Sequence, residues 1–131
     1  MAPPTQFSAA QSLACRTTTI SASRRPTPPP PRPLGRGFQR FYGFLGAETN
    51  QWHPNLVHDN HPVDQPYPPE QGYHFSVDIT DKAIAYVNDI KAVAPDRPIL
   101  LYYAPGAAHA PHHAPREWIE RYRGRFDDGY E

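Results

Sequence analysis

The sequence lacks the features that would hold a small protein together covalently or place it in a membrane. Cys15 is the only cysteine among 131 residues, so no disulfide can form within the chain and no redox compartment is indicated. No apolar stretch approaches the roughly 20 residues needed to cross a bilayer, and no apolar leader core follows Met1. Neither a membrane nor a nucleic acid is expected as a partner, and a cytoplasmic location is the default expectation. Acids are missing from the first 47 residues, which carry six arginines, while every acid and both lysines follow from Glu48 onward. The formal net charge of +0 therefore hides a basic head and an acidic body. Proline is abundant instead, with 18 residues, and it punctuates the chain into short segments.

In the body, two segments have clear periodicity or composition. Ala83, Ile84, Val87, Ile90 and Ala94 recur at three- and four-residue spacing, which predicts a helix. Ser76, Asp78 or Thr80 is available to cap its start, and Pro95 ends it. Next comes the apolar run Ile99-Leu-Leu-Tyr-Tyr-Ala104, which predicts a strand buried on both faces, as in a parallel sheet sandwiched by helices. Beyond its carboxyl end lies Pro105-Gly-Ala-Ala-His109-Ala-Pro-His112-His113-Ala-Pro-Arg116, where an α/β protein keeps its chemistry. A second helix is expected from Pro115 through Trp118, Ile119 and Tyr122 to Gly124. Phe38, Phe41, Tyr42 and Phe44, among glycines, suit a turn or short strand, and residues 47–73 read as a long proline-rich loop.

Three passages in series carry a family resemblance. They are Gly37-Phe-Gln-Arg-Phe-Tyr-Gly-Phe44 with Gly46-Ala-Glu-Thr-Asn-Gln-Trp52, then His109-Ala-Pro-His112, then Ala114-Pro-Arg-Glu-Trp118 running into Tyr122-Arg-Gly-Arg-Phe-Asp127. Over residues 35–131 the chain resembles an internal piece of a sulfatase of the bacterial arylsulfatase type, in the alkaline-phosphatase-like superfamily. Gln39 and Ala47 depart from residues common in that pattern. The resemblance implies hydrolysis of a sulfate ester of an aryl or alkyl alcohol, with calcium and formylglycine in the full-length family. It also implies that His109 is the catalytic histidine that hydrogen-bonds the sulfate and assists the leaving group, a role imidazole suits because it titrates near neutrality. The resemblance further implies that residues 48–52 lie near the active-site side, where they would shape substrate choice. Neither cofactor is expected on this chain. Cys15 is followed by Arg16-Thr-Thr-Thr rather than the Cys-x-Pro-x-Arg pattern that matures to formylglycine, and the family's Asp and Asn cation ligands have no counterpart. The chain alone is therefore expected not to be catalytic.

The expected architecture is α/β, a partial sulfatase fold with one central strand and two flanking helices over 35–131, behind a disordered segment over 1–34 rich in Pro, Arg and Ser. One strand cannot satisfy its own backbone groups, so this body is expected to fold only in part by itself. Three readings compete for the head: an organellar transit peptide, a ligand for SH3 or WW domains centred on residues 24–33, and a GC-rich stretch read in the wrong frame or from a misplaced start. The abrupt onset of the resemblance near Gly35 favours the last. Two functional alternatives stand beside the sulfatase reading. One is a non-enzymatic interaction protein using the proline-rich head; the other is a metal binder using His109, His112 and His113, whose spacing matches no established zinc template.

Overall fold

The helix expected from periodicity is the largest element, α1, Phe75–Val93. In the computed structural model, residues 12–17 (as backbone) and 32–127 are described. None of the three expected capping residues starts α1; the N-cap is His74, in extended conformation, whose ring Nδ1 accepts from the Ser76 N–H at 3.2 Å. The buried face also differs from the aliphatic stripe read in the sequence. Phe75, Asp78, Ile79, Ala83 and Tyr86 turn inward at three- and four-residue intervals, while Ile84 is exposed. The two large aromatics bury more surface than Ile84 can, so they decide which side of the helix meets the sheet. At the far end the Lys91 ammonium donates to the carbonyl of Pro95, closing the helix where proline stops it.

The sheet departs further from expectation. Strands β1 (Ser12–Thr17), β2 (Arg40–Gly43), β3 (Val57–His58), β4 (His61–Pro62) and β5 (Ile99–Tyr103) lie in the order β4-β3-β2-β1-β5. Every pairing is antiparallel. The expected single central strand of a parallel sheet is thus an edge strand, β5, in a five-stranded antiparallel sheet. Burial on both faces is also corrected. Ile99 and Leu101 pack against the core and the Tyr103 hydroxyl meets Thr80 Oγ1 at 2.8 Å, whereas Leu100 is 58% and Tyr102 49% exposed. An apolar run on both faces of a strand implies two covering layers, but among the described residues Leu100 and Tyr102, on the face away from the core, stay about half exposed.

Part of the long loop is also ordered. β3 and β4 form a hairpin over Asp59 and Asn60, with Asp59 at φ 56. Asp59 grips β2 twice: its carboxylate accepts from the Phe41 N–H at 3.0 Å, and its own N–H donates to the Phe41 carbonyl at 2.8 Å. Pro62 sits in the outermost strand, where a missing N–H costs no ladder bond. The core gathers Tyr42 and Phe44 from the sheet side, Leu56 and Tyr73 from the loops, and the inner face of α1. Phe41 points to the opposite face, also fully buried. Helix α2, Arg116–Tyr122, follows Pro115 as its N-cap and leaves Trp118, Ile119 and Tyr122 about half exposed. Among the described residues no helix is long and apolar enough to cross a membrane.

Six residues of the 1–34 segment, Ser12–Thr17, thus form the strand that joins β2 to β5, with Leu13 opposite both Tyr42 and Tyr103. Of the proline-rich stretch 24–33, only Arg32 and Pro33 lie within the described residues. A body that begins after the head lacks the strand through which β5 is attached. Removing residues 1–31 should abolish the cooperative melting transition of the full chain in circular dichroism. An unchanged midpoint would show that β1 does not tie the sheet together.

Candidate functional site

Asp78 fixes where α1 meets the sheet. It is 5% exposed, and one carboxylate oxygen accepts from the Tyr42 hydroxyl at 2.6 Å and the Tyr73 hydroxyl at 2.9 Å. Tyr42 belongs to β2 and Tyr73 to the approach to α1, so one carboxylate joins three parts of the chain. Hydrogen bonds to a charged acceptor are short and strong, and removing one partner leaves a buried group unsatisfied. Burial, together with the neighbouring Asp78 carboxylate, holds both tyrosine hydroxyls well above the usual tyrosine range.

Above this anchor the N-terminus of α1 meets the histidine loop. The His74 ring accepts from Ser76 N–H through Nδ1, while its Nε2 lies 2.8 Å from the carbonyl of His113. A carbonyl can only accept, so the neutral tautomer with hydrogen on Nε2 satisfies both bonds. Trp52 packs edge-on against the same ring, with centroids 4.7 Å apart. Gln51 connects the two loops through its backbone: its N–H reaches His113 Nδ1 at 3.4 Å, and its carbonyl accepts from the Phe75 N–H at 2.8 Å. Asn50 supports this loop from within, its side-chain oxygen accepting from the N–H groups of Trp52 and His53 at 2.8 and 3.0 Å.

The histidine loop folds over the start of α1 and bounds a cleft of about 400 Å³. His109 is exposed at its rim. The turn before it closes with a 3.2 Å bond from His109 N–H to the Gly106 carbonyl, and Ala108 takes a left-handed φ of 79. The His109 ring approaches the carbonyl of Ala110 through Nδ1 at 2.7 Å, so Nδ1 carries hydrogen and Nε2 remains for a ligand. His112 and His113 line the same cleft, with Gln51, His74, Ser76, Val77 and Trp118.

Among the described residues, no group of three or more His, Cys, Asp or Glu side chains is placed to hold a metal ion. His113 instead serves the loop junction, and His58 stacks edge-on against Tyr42 in the sheet, centroids 5.7 Å apart. The sequence reading missed His74 and the Asp78 anchor. Their signal was present as a carboxylate on the inner side of an aromatic helical stripe, a position that demands partners.

The model of the sulfatase family matches residues 8–131. The chain belongs to the sulfatase family. This match reaches further toward the N-terminus than the onset near Gly35 read from the sequence, and it includes β1. A relative named arylsulfatase from Klebsiella aerogenes is 29% identical over 103 residues, covering 75% of this chain and 22% of the relative. A second, named uncharacterized sulfatase YdeN, from Escherichia coli (strain K12), is 34% identical over 99 residues, covering 75% of this chain and 16% of the relative. The chain thus spans less than a quarter of the length of either relative. No solved structure matches. Membership implies the alkaline-phosphatase-like fold, of which these residues form a small mixed α/β portion, and it implies calcium and formylglycine in full-length members. The residues described here do not fit either group, because Cys15 lacks the maturation pattern and no cation cluster is assembled.

The raised tyrosines set a pH dependence. Since their folded pKa values lie above the unfolded ones, their stabilisation is complete below about pH 10 and is lost as pH rises beyond it. Stability should fall above that pH by up to about 1.4 kcal/mol per unit for each tyrosine. Tyr73→Phe should cost about 1–3 kcal/mol at neutral pH and flatten the alkaline slope, as urea titrations at several pH values would measure. An unchanged slope would place the alkaline loss elsewhere.

Proposed function

We propose that these residues form the sulfate-ester-binding wall of a sulfatase, with His109 as the side chain that contacts the sulfate. The observation that carries this reading is the cleft itself: a histidine loop laid over the start of α1, with His109 at the rim and apolar walls beside it. Its Nδ1 is engaged by backbone, which orients the ring and leaves Nε2 for an incoming oxygen. An imidazolium there donates a hydrogen bond to a sulfuryl oxygen and can later give its proton to the departing alkoxide. Val77, Pro111, Pro115 and Trp118 offer the ester's organic part a largely apolar surface.

One polar contact supplies a few kcal/mol of transition-state stabilisation, whereas enzymes supply roughly 8–23 kcal/mol. The 131 residues contain no formylglycine pattern to act as nucleophile. They are therefore expected to bind sulfate esters without turning them over.

Calorimetric titration of the chain with phenyl sulfate tests the reading. Binding should be measurable, should weaken about tenfold or more in His109→Ala, and should be accompanied by no release of phenol. Equal affinity in His109→Ala, or steady hydrolysis by the chain, would overturn it.

A further inference from the structure

Two residues that line the cleft each carry a buried polar atom with unmet hydrogen-bonding capacity. Gln51 is 4% exposed, and its side-chain Oε1 has no hydrogen-bond partner. The buried Ser76 hydroxyl is in the same state, so the two atoms do not satisfy each other. Both residues line the cleft. Buried acceptors are almost always paired, because stripping water from them without replacement is unfavourable. The Gln51 backbone is held on both sides, its N–H by His113 and its carbonyl by Phe75, and this fixes where the side chain starts. Around these atoms the walls are apolar, formed by Val77, Pro111, Pro115 and Trp118.

We infer that Gln51, assisted by Ser76, is a specificity-determining residue that accepts hydrogen bonds from hydroxyl groups on the alcohol part of the bound ester. This inference rests on the cleft being the sulfate-ester site. Carboxamide oxygen is an acceptor only, and a serine hydroxyl accepts as well as donates, so the complementary ligand brings at least one donor, and a hydroxyl can serve both atoms. Apolar walls next to acceptors match a ring with apolar faces and hydroxyls at its edge. The favoured ligand class is the sulfate ester of a polyol or saccharide, in place of the aryl or alkyl ester that the family resemblance suggests. A site built to pair a hydroxyl discriminates strongly against the analogue that lacks it, because its own polar atoms are then left unpaired.

The test compares two probes that share the sulfate and the six-membered carbocycle and differ in hydroxyls: inositol monosulfate and cyclohexyl sulfate. Calorimetry on the full chain should show the inositol ester binding about tenfold or more tighter. Gln51→Leu should erase that preference by weakening the inositol ester alone, and Ser76→Ala should reduce it. Equal affinities in the unsubstituted chain, or a preference kept in both variants, would overturn the inference while leaving the sulfate site intact. If neither ester binds, the sulfate reading fails and this inference fails with it. Should Gln51→Leu not fold by circular dichroism, the probe pair on the unsubstituted chain and Ser76→Ala still decide the matter.

Discussion

A single buried carboxylate, Asp78, sets the geometry on which the rest of the molecule depends. Its oxygen receives hydroxyls from β2 and from the residue before the helix N-cap, and so determines how far along the sheet α1 begins. An unpaired carboxylate in that position would be costly, which makes the arrangement cooperative: both tyrosines must be in place for the helix to dock. The aromatic core around them, with Phe44 edge-on to Phe75 and Tyr67 edge-on to Tyr73, then fills the space between helix and loops. These contacts supply the burial, and the carboxylate supplies the register.

From that register follows the position of the cleft. Because α1 starts at Phe75, His74 stands at its N-cap and reaches the carbonyl of His113, while Gln51 closes the other side. The histidine loop is thus held at His113 by two bonds, one to the helix N-cap and one to Gln51, with His109 exposed four residues earlier. Rigid elements that position an exposed loop are common in α/β proteins. The same region of the cleft lining includes Gln51 and Ser76, each with a buried polar atom that has no hydrogen-bond partner.

The sheet has the character of a part taken with a larger family architecture. β5 lies at its edge with Leu100 and Tyr102 exposed on the side away from α1, and α2 presents Trp118, Ile119 and Tyr122 half-covered. The curated relatives it matches are more than four times longer than the matched span, so these surfaces lie within a much larger fold there.

How much of this could be read beforehand depended on the range of the forces involved. α1, the strand Ile99–Tyr103 and α2 were legible because helix periodicity, apolar runs and proline stops are local features. The family was legible because short motifs survive as strings of residues. Illegible were β1, β3 and β4, since six residues without strong alternation and two-residue strands containing His, Asp and Pro carry no period of their own. Their pairing is decided by long-range partners, as was the choice between the Ala83-Ile84-Val87 stripe and the aromatic face of α1. Sequence by itself determined the helices, the existence of the strand Ile99–Tyr103 and the family, because local propensity and motif identity act within a few residues. Only tertiary structure decided the antiparallel order, the His74 cap and the pairing of Asp78 with Tyr42 and Tyr73, because a buried polar group takes its partner from whatever part of the chain the packing brings within reach.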